Sequence, residues 1–234
     1  SDPAYAPHVR SLPSVLSAVR STELDTDWQV ARLMECSRTF GAMESTKFTC
    51  GYGMTWFDTG FLPVMQHPLC KGALETLLAD QGVEASSSVV VLGSALGEHC
   101  LFTSLLFGLP CTGYELLCET SAGRAISMTP SEVPAKFLCE DATNADVSNA
   151  RLVWLLDAVW PKAVQEAIEQ RLAKELPQGA IVVLYRRAVW KGEGSLQEHP
   201  NALSIDVSWK EGLSITLLEK IQSNRKSVPS VAKS

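Results

Sequence analysis

The sequence predicts an α/β protein: a mostly parallel sheet with helices on both faces, a C-terminal antiparallel hairpin, and a helical N-terminal extension. Three observations predict it. Val89 to Glu115 reads as strand, glycine turn, helix and strand. Short apolar runs then alternate with helical stretches, as in a sheet whose strands are buried on both faces. Near the C-terminus, two runs that alternate or nearly so flank the polar Lys210-Glu211-Gly212, which reads as a hairpin turn.

The elements follow in order. Ser88 to Leu92 is a β-branched run suited to a central strand. Gly93 and Gly97 bracket a turn that needs positive φ or close backbone approach. Glu98 to Phe107 is helical, stopped by Gly108 with Pro110 beyond. Cys111 to Tyr114 is the second strand, and Glu115 stands at its end, 22 positions after Gly93. A carboxylate about 20 residues beyond such a turn is placed to accept hydrogen bonds from ribose hydroxyls. Lys136 to Cys139 is a third strand, leading into the polar Glu140-Asp141-Ala142-Thr143-Asn144. Leu152 to Leu156 is a fourth, ending in Asp157. Pro161 opens a helix whose Val164, Ala167, Ile168, Leu172 and Leu176 share one face. Ala180 to Tyr185 is the fifth strand; Leu203 to Trp209 and Leu213 to Lys220 form the hairpin.

Upstream, Ser14 to Cys36 reads as helical, and a further helix runs from about Gly60 to Ala79. Between them, Phe48 to His67 is rich in aromatics and glycine, which reads as a lid over the sheet. The division is 1–84, extension and lid; 85–221, core; 222–234, a flexible tail.

Composition bounds the function. Apolar content of 46% and charged content of 20% fit a globular domain, and no apolar run is long enough to cross a membrane. Ser1 to Arg10 lacks the layout of a signal peptide. A net charge of −6 argues against an extensive nucleic-acid surface. The seven cysteines include no CxxC pair, so they read as reduced, mostly buried thiols of an intracellular protein, cytoplasmic or nuclear, and no metal site is expected. His99 and Trp154 read as packing residues.

Five strands in alternation with helices, then a hairpin that adds one antiparallel strand, resemble the class I, seven-stranded S-adenosylmethionine-dependent methyltransferases over residues 85–221. The resemblance implies S-adenosyl-L-methionine as cofactor. LGSALGE, Leu92 to Glu98, matches the family's first motif, implying that Gly93, Ser94, Ala95 and Gly97 approach the methionine part. Glu115 matches the ribose-binding acid, and Asp141 the position facing adenine. Asp157 matches the position that handles substrate beside the sulfonium, and Trp160 is a candidate wall of the acceptor pocket. The chain departs from the family at Val91, where an acid is usual, and at Ala95, where glycine is usual. Tyr52-Gly53-Met54-Thr55-Trp56-Phe57-Asp58 is similar to the YGxTxFD segment of the non-SET (disruptor-of-telomeric-silencing) histone lysine methyltransferases. That similarity implies cofactor contact by Thr55 and Phe57; Tyr52 is read as a candidate wall of the acceptor pocket. The expected reaction is methyl transfer to a nitrogen of a small molecule or protein side chain. The alternatives are a non-catalytic binding or regulatory module on this fold, and a nicotinamide-dependent oxidoreductase.

Overall fold

The computed structural model describes residues 61–80, 88–95, 97–117, 134–190, 195–207 and 210–222. The expected Ser14–Cys36 helix, the lid as far as residue 60 and most of the tail lie outside them. The helices are α1 (Phe61–Met65), α2 (Pro68–Asp80), α3 (Glu98–Phe107) and α4 (Lys162–Glu175), with a 3₁₀ turn at Ala142–Asn144. The strands are β1 (Ser88–Leu92), β2 (Cys111–Tyr114), β3 (Ala135–Leu138), β4 (Ala150–Leu155), β5 (Ile181–Leu184), β6 (Leu196–Val207) and β7 (Lys210–Lys220).

They form one seven-stranded sheet in the order β3-β2-β1-β4-β5-β7-β6. β1 to β5 pair in parallel, and β7 runs antiparallel between β5 and β6. Alternate residues of each central strand enter opposite cores. Val89, Val91, Leu152, Trp154, Ile181 and Val183 meet α1, α2 and α3 on one face. Val90, Leu92, Val153, Leu155, Val182 and Leu184 meet the 3₁₀ turn and α4 on the other. Burial on both faces is why these runs are continuously apolar. Each fully buried leucine or valine contributes roughly 1.5–3 kcal/mol.

Three expectations need correction. The helix expected from Gly60 to Ala79 is two helices, because Pro68 lacks the N–H that an unbroken helix needs. His67 starts the second: its carbonyl accepts from Lys71 N at 2.9 Å and its Nδ1 from Leu69 N at 3.4 Å. Lys210-Glu211-Gly212 belongs to β7 rather than a turn, since Val207 already pairs with Lys210. The cysteines are not all reduced thiols. Cys100 of α3 and Cys111 of β2 are joined by a disulfide at a Cα–Cα distance of 5.2 Å, and Cys139 is disulfide-bonded too. The α3 helix returns over β2, so residues 11 apart meet. Cysteine usage therefore gives no support to an intracellular placement. Cys70 is a free, buried thiol, and burial pushes it up to about 12.

Candidate functional site

The strand order reverses direction at β1, which has β2 on one side and β4 on the other. Ligands of open α/β sheets bind in the crevice at such a point, beyond the carboxyl ends of the strands. The segment leaving β1 there is Gly93 to Gly97. Gly93, Ala95 and Gly97 all take positive φ, at 78°, 47° and 88°. Glycine does this without strain, whereas Ala95 is the one non-glycine residue with positive φ among those described.

Consecutive residues of β2 and its exit hold this loop. Gly93 N and Ser94 N both donate to the Tyr114 carbonyl at 2.9 Å. Ala95 N donates to Glu115 Oε2 at 2.9 Å, and Leu117 N donates to Oε1 of the same carboxylate at 2.9 Å. Each carboxylate oxygen can accept more than one hydrogen bond, so Glu115 keeps capacity for a ligand's hydroxyls. Leu116 and Leu117, which follow it directly, are exposed, as is Val159 beyond β4.

Trp160 lies against the loop from the β4 side. A Cβ added at Gly93 would fall 2.8 Å from Trp160 Cζ2 and 3.1 Å from the Leu156 carbonyl oxygen. Trp160 is partly buried, packed against the core under α4, and its N–H donates to the Asp157 carbonyl at 2.9 Å. The structure thus brings Gly93, Ser94, Ala95, Gly97, Glu115 and Trp160 to one end of the sheet.

Asp157 has other company. It is fully buried, and its two oxygens accept from Arg186 Nε, at 2.8 Å, and Nη2. Gln165 Nε2 donates to its carbonyl at 2.7 Å. Arg186 Nη1 donates to Glu169, a fully buried residue of α4 whose carboxylate also accepts from Val189 N and from Trp190 N, at 2.8 Å. Asp157, Arg186 and Glu169 therefore form an ion triad, its carboxylates fully buried and Arg186 partly so, pinning the segment after β5 to α4. Burial pushes the Asp157 carboxyl up, although Arg186 opposes this. Burial also works against the Arg186 charge, but the two carboxylates win and hold its pKa above the ordinary value. The expected acceptor-handling acid is thus tied into the framework and does not line an open wall.

Asp141 is exposed and caps the 3₁₀ turn: Oδ1 accepts from Thr143 N and Thr143 Oγ1, each at 2.8 Å. Tyr52, Thr55 and Phe57 lie outside the described residues. His99 is buried; its ring meets Trp154 with centroids 4.7 Å apart, and Nε2 lies 3.4 Å from the Tyr185 hydroxyl. No cluster of three or more His, Cys, Asp or Glu able to hold a metal occurs among the described residues. Nor is any described helix long and apolar enough to cross a membrane.

No family model and no curated protein matches the chain. Solved structures are similar in fold. An RNA methyltransferase from Salinibacter ruber, in complex with S-adenosyl-L-homocysteine, is 19% identical with a TM-score of 0.42, over 70% of this chain and 97% of its own. The magnesium protoporphyrin IX methyltransferase of Synechocystis PCC 6803 is 15% identical with a TM-score of 0.42, over 84% and 100%. An rRNA methylase from Streptococcus thermophilus is 13% identical with a TM-score of 0.44, over 65% and 96%. At such scores the fold assignment rests on the strand order itself.

Proposed function

We propose that the chain binds S-adenosylmethionine at the end of β1 and β2 and transfers its methyl group. The observation that carries this reading is the hydrogen bond from Ala95 N to Glu115 Oε2, at the point where the strand order reverses. It joins the glycine loop to the carboxylate and leaves each carboxylate oxygen with further acceptor capacity. The residues fit an adenosyl donor. Gly93, Ala95 and Gly97 turn the backbone tightly, Glu115 suits ribose hydroxyls, and Leu116 and Leu117 offer apolar surface beside it. Asp141 suits an adenine amino group through oxygen capacity beyond its capping bonds.

When bound, the sulfonium supplies an electrophilic methyl, and displacement then depends on alignment and exclusion of water. Trp160, whose ring edge lies against Gly93 from the β4 side, is proposed to bound the acceptor side, where an aromatic ring suits cationic groups. Thr55 and Phe57 are proposed to cover the donor and Tyr52 to wall the acceptor. We propose nitrogen as the acceptor atom, in a small molecule or a protein side chain, since no histidine of the described crevice is placed as a base for oxygen. Asp157 acts through Arg186 and Glu169 to fix the shape of the crevice, in place of contacting the acceptor.

One observation favours a second reading. With Asp157 committed to Arg186, a non-catalytic module that binds the donor is the rival. A nicotinamide reductase is not favoured, because β7 lies antiparallel inside the sheet. Isothermal titration with S-adenosylmethionine, S-adenosylhomocysteine and NAD tests the donor. Incubation of a metabolite and lysate pool with labelled donor then tests transfer. Binding without labelling favours the module; NAD binding alone overturns the proposal.

A further inference from the structure

Gly113 sits inside β2, where glycine weakens a strand and calls for a reason. Its φ is not positive, so conformation does not supply one. Space does. A Cβ added at Gly113 would fall 2.7 Å from Ser94 Cβ, 2.8 Å from Ser94 Oγ and 2.9 Å from Phe137 Cδ1. Ser94 is 2% exposed, and its hydroxyl is buried with no hydrogen-bond partner. An unpaired buried hydroxyl is unfavourable, so the side chain is held there by fit and not by polar bonding. The next two residues complete the pattern: Tyr114 O accepts from Ser94 N, and Glu115 accepts from Ala95 N.

We infer that Gly113 is a positioning residue for the donor: its missing side chain makes the seat that Ser94 fills, and the seat sets where residues 93–95 lie relative to Glu115. This inference rests on the donor reading above. Gly113 itself touches no ligand and acts through Ser94.

The test is a cycle of Gly113→Ala, Ser94→Gly and the double variant in the full chain, with affinity for S-adenosylhomocysteine and thermal midpoint measured for each. Gly113→Ala is expected to bind about tenfold more weakly or worse while folding cooperatively. The double variant is expected to recover most of that loss, because Ser94→Gly clears the seat. Gly113→Ala binding as tightly as wild type overturns the inference. So does a loss that Phe137→Leu restores and Ser94→Gly does not, which would place the role in sheet packing. Should Gly113→Ala fail to fold, Ser94→Val overfills the seat from the loop side; it is expected to bind about tenfold more weakly, and wild-type affinity overturns the inference. If wild type binds no donor, the donor reading fails by itself. The thermal cycle then decides the seat: coupled effects at 113 and 94 uphold it and additive effects reject it.

Discussion

The backbone N–H of Ala95 and the carboxylate of Glu115 lie 2.9 Å apart as donor and acceptor, although 20 residues separate them in the chain. The bond ties the exit of β1 to the exit of β2. One side chain thereby shapes the loop and, in the proposed function, meets the ligand. Glu115→Ala removes both roles. Its affinity for S-adenosylhomocysteine is expected to fall by about 1–3 kcal/mol, as for losing hydrogen bonds to a charged acceptor. Calorimetric titration of the folded variant checks this; unchanged affinity removes Glu115 from the site.

Gly93 is constrained twice, by its φ of 78° and by Trp160 Cζ2, 2.8 Å from any added Cβ. Gly93→Ala is expected to cost about 1–3 kcal/mol of stability through strain and overpacking. Trp160→Leu should relieve part of it and leave the rest, because the Leu156 carbonyl is backbone and does not move aside. Thermal melts of the two single variants and the double read this directly. Additivity would show that the ring is not the obstacle.

Ala95 stands where the resembled family has glycine, with φ at 47°. Left-handed backbone costs a non-glycine residue roughly 1–2 kcal/mol. Ala95→Gly removes that strain but gives back about 0.4–1 kcal/mol of unfolded-state entropy. The variant is expected to be neutral to slightly stabilised and to bind the donor at least as well. A marked loss of affinity would mean that the alanine methyl itself contributes to the ligand's surroundings.

Much of this was legible in the sequence, and what was not has physical reasons. The expected bounds of β1, α3 and β2 match those observed because each rests on local signals: a β-branched run, a glycine stop, a short apolar strand. Spacing from the glycine turn singles out Glu115, and its carboxylate accepts from Ala95 N of that turn. Arg186 and Glu169 carry no local signal, because Arg186 pairs with Asp157, 29 residues away, and with Glu169, 17 residues away. The available signal was a charged residue just after each of two neighbouring buried strands, Asp157 after β4 and Arg186 after β5. Gly113 carries one usable signal, since glycine inside an apolar strand marks a close approach, but the residue that approaches, Ser94, is set by tertiary packing. The hairpin turn was misplaced because polarity alone suggested Lys210-Glu211-Gly212, whereas register is set by pairing across the sheet. The Cys100–Cys111 pairing depends on how α3 returns over β2, which spacing does not encode.

The ion triad carries a prediction of its own. Arg186→Met leaves Asp157 and Glu169 buried without their shared cation, so stability is expected to fall by about 3–5 kcal/mol. Urea unfolding checks it. A loss under about 1 kcal/mol, typical of exposed pairs, would show that solvent reaches the triad.

The pH dependence follows from Asp157, whose pKa burial raises above its ordinary value. As pH rises from the ordinary aspartate range toward the raised value, the unfolded chain releases this proton and the folded chain keeps it. Stability from this group is therefore full below the ordinary pKa and is lost as pH climbs through the folded one. Asp157→Asn lacks the group. The stability of wild type relative to Asp157→Asn is expected to decline across that interval and then level off. Urea melts at a series of pH values give the difference. A difference that grows with pH would mean that Arg186 outweighs burial.

The central claim is that the loop from Gly93 to Gly97 and Glu115 together hold an adenosyl methyl donor. The most direct measurement is titration of the full chain with S-adenosylhomocysteine, with NAD as control and Glu115→Ala alongside. The expected result is saturable one-to-one binding of S-adenosylhomocysteine, weakened about fivefold or more in Glu115→Ala, and no binding of NAD. Absence of binding by the folded wild-type chain, or equal affinity in the variant, contradicts the claim.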